Sequence, residues 1–432
     1  MVGYLVAALL VPGVACAASD TESPTYAGQD NFGSPSEPSN LLPEITQRRK
    51  QKDSMFPASP LGWLHDSTGK AKQGIKDATG LKLGVVFAHL FQGLSDTIDG
   101  DDKSGMATTF DMLGTWDLID EGEPTQGQAV FQVQSRWDYG TTGPEDLGAS
   151  SLGSLIGTGD TFARYPRALV LRNLYWRQGS PEAGWSYRLG KITPDGILSA
   201  SAYLDSQQTF LPTGSVTSGA IAFPDSGLGA VGAWYLSDRA TLVGLVSNAN
   251  ADRFNVFGFD EVGEGDVFAA AEFHMKIAPR TEKAPWSKLT VWHTDGTEDG
   301  AGVNAMTGKS GWGFYLLHEQ ELSADGRAIG IARYGRSYNE SAVYEQQAGV
   351  HFLLYDPGFA TNLKHDVVGT AFNWARSPEV DTRDEYNLEV FYRFPLFPNV
   401  DTSLSYQYVI NPAFTTEVDS SSVFSLRFRT VF

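Results

Sequence analysis

The sequence predicts an all-β chain, a transmembrane antiparallel β-barrel of about 16 strands, preceded by a short N-terminal helical or extended periplasmic segment. Three observations carry this. The last eleven residues, Ser422 to Phe432, alternate. Phe424, Leu426, Phe428, Thr430 and Phe432 fall on one face, and Val423, Ser425, Arg427, Arg429 and Val431 on the other. Successive side chains of a strand point to opposite sides, so this is a strand with one apolar face and one face carrying two arginines. Segments of this kind, about ten residues long, recur along the chain. The connections between them are alternately long and short, as outer loops and periplasmic turns of such barrels are.

Taken in order, Val2 to Val14 is a short apolar run followed by Ala15-Cys16-Ala17. This is the pattern of a signal peptide, residues 1–17, cleaved after Ala17. Cys16 is the only cysteine, so the chain beyond the leader has no thiol for a disulfide or a metal site. Residues 18–80 are expected to form a periplasmic extension. Ala18 to about Ser59 is rich in Ser, Pro, Asn and Glu and reads as mobile, with a basic patch Arg48-Arg49-Lys50-Gln51-Lys52. Trp63 to Ala78 can hold a short helix at or in the barrel mouth.

Residues 81–432 are the predicted barrel. Its strands are expected near 81–91, 107–118, 128–138, 167–177, 184–192, 227–236, 240–249, 266–277, 287–294, 311–320, 327–336, 347–355, 366–375, 386–394, 400–410 and 422–432. In the third, Ala129, Phe131, Val133, Ser135 and Trp137 oppose Gln128, Gln132, Gln134, Arg136 and Asp138. Long connections (139–166, 193–226, 250–265, 295–310) follow odd strands; short ones (178–183, 237–239, 321–326, 395–399) follow even strands. Aromatic residues near segment ends read as a girdle at the membrane interfaces: Trp116, Trp137, Tyr139, Tyr175, Trp176, Trp234, Tyr235 and Trp374.

Composition narrows the function. Lys+Arg is 32 against Asp+Glu 51, a net charge of −19, which argues against duplex nucleic acid as a partner. The acid excess fits solubility, a cation-attracting vestibule, or divalent bridging to anionic lipid heads. Mean hydropathy is −0.22, and no apolar run reaches the roughly 20 residues of a membrane helix. The run Gly302 to Ser310 resembles a phosphate loop but has one residue too many between its glycines. The seven histidines show no ligand spacing, so neither metal nor cofactor is expected. No G-x-S-x-G occurs, and no catalytic residue is assigned.

A barrel of this size leaves an aqueous channel, so the site is the inward polar set. Arg136, Glu389, Arg393, Arg427, Arg429, Asp111 and Gln134 are the candidate pore-lining, substrate-binding residues. Closure sets the last strand beside the first, so the arginines share one sector of wall. Fixed guanidinium forks opposite carboxylates and amides suit sugar hydroxyls, which both donate and accept. Phe391 can offer an apolar face to a sugar ring. The third outer loop, 193–226, is the candidate to fold into the lumen and set the constriction.

The late hairpin Tyr386 to Phe414 resembles that of the carbohydrate-selective porin family, OprB type. Leu388, Glu389, Tyr392, Arg393, Phe394, Gln407, Tyr408, Asn411 and Pro412 match its L-E-x-x-Y-R-F and Q-Y-x-x-N-P pattern. Gly311-Trp312-Gly313, Ala332-Arg333-Tyr334-Gly335 and Ser247-Asn248-Ala249-Asn250 are similar to further family segments. The likeness spans about 60–432 and is dense at the end. The paired glycines usual before the first strand are replaced by Leu61-Gly62-Trp63-Leu64.

The resemblance implies a sixteen-stranded outer-membrane channel of a Gram-negative cell for passive diffusion of saccharides, a monomer or homotrimer. Its eyelet would be lined by arginines and carboxylates, of which Glu389 and Arg393 carry over. Partners would be the saccharides, outer-membrane lipid and lipopolysaccharide, and the barrel-assembly machinery through the C-terminal strand. Other readings stay open: a general or cation-preferring porin, a structural or adhesive barrel, and, more distantly, a secreted glycan-acting enzyme.

Overall fold

In the computed structural model, residues 32–48, 53–258, 265–276, 286–297, 305, 307–359 and 363–432 are described. The predicted signal peptide lies outside them. Two helices, α1 (Pro38–Arg48) and α2 (Gly62–Thr79), precede sixteen strands. These are β1 (Leu81–Leu94), β2 (Ser104–Ile119), β3 (Gly127–Asp138), β4 (Val170–Ser180), β5 (Trp185–Ile192), β6 (Gly227–Ser237), β7 (Ala240–Asn248) and β8 (Val267–Lys276). There follow β9 (Trp286–Thr294), β10 (Gly311–Glu321), β11 (Ala328–Tyr338), β12 (Gln346–Tyr355), β13 (Val367–Arg376), β14 (Glu385–Phe397), β15 (Val400–Ile410) and β16 (Ser420–Val431). Each predicted segment overlaps one of them.

Every strand pairs antiparallel with its sequence neighbours, and β16 pairs with β1 from Val86↔Val431 to Leu94↔Val423, closing the barrel. Closure leaves no open edge, the condition for strands to cross a bilayer. Along β16 the alternation is as expected: Phe424 is 60% exposed on the outer face, while Arg427 and Arg429 are buried inside. Among the described residues no helix is long and apolar enough to cross a membrane.

Helix α2 and the C-terminus meet at one rim of the barrel. Phe432 completes the ladder with a backbone pair to Val85, and its ring stacks on His65 of α2 at 4.4 Å. The Lys72 ammonium donates to the Phe432 main-chain oxygen at 2.5 Å. Helix α2 ends at Gly80, whose φ of 77° is left-handed and lets its N–H reach the Lys76 carbonyl. This is the helix expected over Trp63 to Ala78.

Three expectations are corrected. Residues 38–48, read as part of a mobile extension, are a helix inside the barrel. The periodicity of Leu41, Leu42 and Ile45 is too short to stand out, yet these side chains are buried on Val86, Leu113 and Val431 of the wall. Pro38 opens the helix, and the Glu37 carboxylate accepts the Ser39 N–H at 2.8 Å. Tyr175 and Tyr235 do not belong to an outer girdle. Tyr175 is 3% exposed with its hydroxyl on Ser39 and Glu37, and Tyr235 packs against the interior cluster. Trp116 and Trp234 do face outward.

Candidate functional site

The lumen is furnished by α1 and by two outer loops that fold inward. The loop 193–226 runs across the interior and is gripped by the wall at three places. Near its start, Glu272 of β8 accepts the Ser199 N–H, the Lys288 ammonium of β9 donates to the Ala200 carbonyl, and Glu319 of β10 accepts the Ala202 N–H at 3.2 Å. At its middle, Arg427 donates to the carbonyls of Ser206 at 2.6 Å and Thr209 at 2.9 Å, and Arg393 to that of Gln208 at 3.1 Å. Glu389 accepts the Leu211 N–H at 3.0 Å and the Ser405 hydroxyl at 2.6 Å. Farther on, the Arg333 fork donates to Gly214, to Ser215 at 2.6 Å and to Thr217 at 2.7 Å, while Gln347 accepts the Ala220 N–H at 3.2 Å.

The loop also sets apolar side chains into the interior. Phe210 stands edge-on to His351 and to Phe391, both at 5.0 Å. Phe210, Ile221, Ala222 and Phe223 are fully buried. Phe391, proposed above as a platform for a sugar ring, is therefore covered by the loop. Wall charges facing loop carbonyls and N–H groups satisfy backbone that has left any regular ladder, which such groups require when buried.

The loop after β3 folds in as well, which its Gly- and Ser-rich sequence does not announce. Glu385 accepts the N–H groups of Leu155 at 2.6 Å and Ile156 at 3.1 Å. The Thr158 carbonyl accepts from Gln92 at 2.7 Å and Gln407 at 2.8 Å. The two loops also bond to each other, Asp160 N–H to the Leu211 carbonyl at 2.8 Å and Gly214 N–H to that of Ile156 at 2.9 Å. Burial and the nearby Glu145 push the Asp160 carboxyl up to about 7, against the pull of Arg136. Burial raises Asp205 too, although Arg429 and Arg427 oppose it.

All seven residues singled out from the sequence lie on the inner wall, in the sector formed by β14, β15, β16, β1, β2 and β3. Asp111 accepts from Gln132 at 2.8 Å, Gln134 at 2.9 Å and Gln207 at 3.0 Å. Arg136 donates to Gln134 at 3.0 Å and sits 4.6 Å over the Tyr165 ring. Arg429 holds Glu44 of α1 with both arms, at 3.1 and 2.7 Å. Sequence reasoning missed the other grips: Glu272, Lys288, Glu319, Arg333 and Gln347 on the loop 193–226, and Glu385 on the loop after β3. Each is an inward polar residue at strand period, so the signal was present; what was absent was any sign of which loop would meet it.

At the end of the barrel that carries α2, a cavity of about 480 Å³ lies between α1, α2 and the wall. Lys72, Lys76, Lys82 and Arg177 line it together with Gln47, Gln73 and Gln128. The whole arrangement is a wide barrel narrowed from inside by fixed donors, acceptors and a few rings. Such a surface can pass hydrated, hydroxyl-rich solutes by exchanging hydrogen bonds along the wall. Among the described residues no group of His, Cys, Asp and Glu is placed to hold a metal.

Residues 118–432 match the carbohydrate-selective porin, OprB family. The chain belongs to that family. It is thus an outer-membrane β-barrel porin of the OprB family, through which carbohydrates diffuse passively. The high-pH structure of Pseudomonas putida OprB is similar in fold, with a TM-score of 0.69 at 14% identity over 88% of this chain and 99% of that one. The low-pH structure of the same protein gives a TM-score of 0.52 at 10% identity, covering 85% of this chain and 97% of that one. No curated protein sequence matches the chain. The family expected from Tyr386 to Phe414 is the family found.

Proposed function

We propose that Arg136, Glu389, Arg393, Arg427, Arg429, Asp111 and Gln134 shape the sugar path of this OprB-family porin, mainly by seating the loop 193–226 as its constriction. The supporting observation is the run of bonds from Arg427, Arg393 and Glu389 to backbone atoms of residues 206–211. Such fixed charges determine the loop's position, and the loop in turn sets pore width. Residues 1–17 act as the signal peptide and residues 18–80 as the N-terminal segment of the barrel 81–432.

The channel works in the outer membrane of a Gram-negative cell, as a monomer or homotrimer, without making or breaking bonds. Its partners are mono- and small oligosaccharides, the surrounding lipid and lipopolysaccharide, and the barrel-assembly machinery that meets the C-terminal strand. The test is liposome swelling with sugars of increasing size. Wild-type protein should admit small saccharides and exclude large ones. Glu389→Gln with Arg393→Gln should move that size limit. An unmoved limit would remove both residues from the path, and swelling indifferent to sugar type would favour a general porin.

A further inference from the structure

The helix α1 is not accounted for by a constriction made of outer loops. It lies in the periplasmic half of the lumen, and the wall is shaped to receive it. The segment follows the inner wall from one side to the other. Phe32 packs under Arg188, whose guanidinium lies 4.9 Å over the ring, and edge-on to His274 at 6.3 Å. The Glu37 carboxylate pairs with Arg188 at 3.0 Å. Leu41, Leu42 and Ile45 fill the space over β1, β2 and β16. On β1 that space exists because residue 84 is glycine: a Cβ there would stand 2.8 Å from Ile45 Cδ1 and 2.9 Å from Leu42 Cδ1.

The polar side of α1 is equally matched. Glu44 and Arg48, one turn apart, reach Arg429 and Asp401 respectively. Burial opposes ionisation of Glu44, but Arg429, Arg48 and Arg393 outweigh it and hold its carboxyl below the usual range. Glu44 therefore places a negative charge within the arginine sector that the barrel wall alone would leave more positive. The Ser34 N–H also bonds to the Gly196 carbonyl at 2.8 Å, tying the segment to the infolded loop.

We propose that residues 32–48 are a resident selectivity element of the pore, with Glu44 and Arg48 setting its charge preference in the periplasmic half. This rests on the channel reading and adds to it a second narrowing, built from the N-terminal segment rather than from an outer loop. Fields in a confined lumen respond strongly to a single fixed charge.

The test measures reversal potentials of the full-length mature porin in planar bilayers under a salt gradient, for wild type, Glu44→Gln and Arg48→Gln. Glu44→Gln should shift the cation-to-anion permeability ratio toward anions by about twofold or more, and Arg48→Gln toward cations. Heat-modifiable migration on gels checks that each variant forms the barrel. Should either be misfolded, Glu44→Asp and Arg48→Lys, which keep the charge and should retain the wild-type ratio, are compared with Glu44→Lys and Arg48→Glu. Folded, conducting variants with unchanged reversal potentials would overturn the proposal while leaving the channel intact. Absence of conductance in wild type would instead remove the channel reading on which it stands.

Discussion

The Glu389 carboxylate on β14 accepts the backbone N–H of Leu211, at 3.0 Å, from inside the barrel. A wall residue thus holds the middle of an outer loop, and Arg427 holds the same stretch from the next strand but one. Truncating either leaves buried backbone groups unpaired, a local loss of about 1.5–3 kcal/mol for a bond to a charged partner. Glu389→Ala and Arg427→Ala should each raise single-channel conductance and current noise. The strands do not depend on these bonds, so heat-modifiable gel migration should be unchanged. Quiet channels of wild-type conductance would mean that the loop is seated by something else.

Arg333 makes a different kind of grip, three carbonyls on one guanidinium. A lysine keeps the charge but not the fork. Limited proteolysis within 213–217 should therefore accelerate for Arg333→Lys almost as much as for Arg333→Ala. If lysine protects like arginine, charge rather than geometry holds the segment.

Phe210 is the apolar counterpart of these bonds. Removing its ring from between His351 and Phe391 should weaken the loop's seating by about 3–5 kcal/mol, the usual range for a buried aromatic. Amide hydrogen exchange at 205–211 should speed up in Phe210→Ala while exchange in β13 and β14 stays slow. Equal acceleration in the strands would show the barrel and loop to be one cooperative unit.

The contact between the two infolded loops should depend on pH. The Asp160 carboxyl is raised from 3.8 to about 7, by burial first and by Glu145 next, with Asp195 adding and Arg136 opposing. The folded chain then binds more protons than the unfolded one across that interval. Stability from this site is fully present at low pH and falls as pH rises toward about 7, levelling above it. Conductance fluctuations should grow between pH 5 and pH 8 in wild type and be flat in Asp160→Asn, values chosen to bracket about 7. A pH response that survives in Asp160→Asn belongs to another group.

Much of the barrel is legible in the sequence because strand period and burial coincide. Gln128, Gln132, Gln134 and Arg136 alternate with outward residues, and the structure keeps that phase. The arginine sector follows from the same alternation plus closure, which brings Arg427 and Arg429 beside β1. What the sequence hides is burial created by closure itself. Leu147, Leu152, Leu155, Ile156 and Phe162 lie among glycines and serines that read as a surface loop, yet all are buried because the loop turns inward. Helix α1 is hidden for the same reason: its apolar residues are few, and the surface they cover exists only once β1, β2 and β16 have met. The sequence also hides the place of Tyr175, because a tyrosine near a strand end fits an interface as well as it fits the Glu37 carboxylate.

The central claim, a pore narrowed from inside into a sugar path, is tested most directly by single-channel conductance in planar bilayers during titration with glucose and maltose oligosaccharides. The account predicts open steps that each sugar reduces partly and with saturation. Steps unaffected by any of these sugars, or no steps at all, would contradict it.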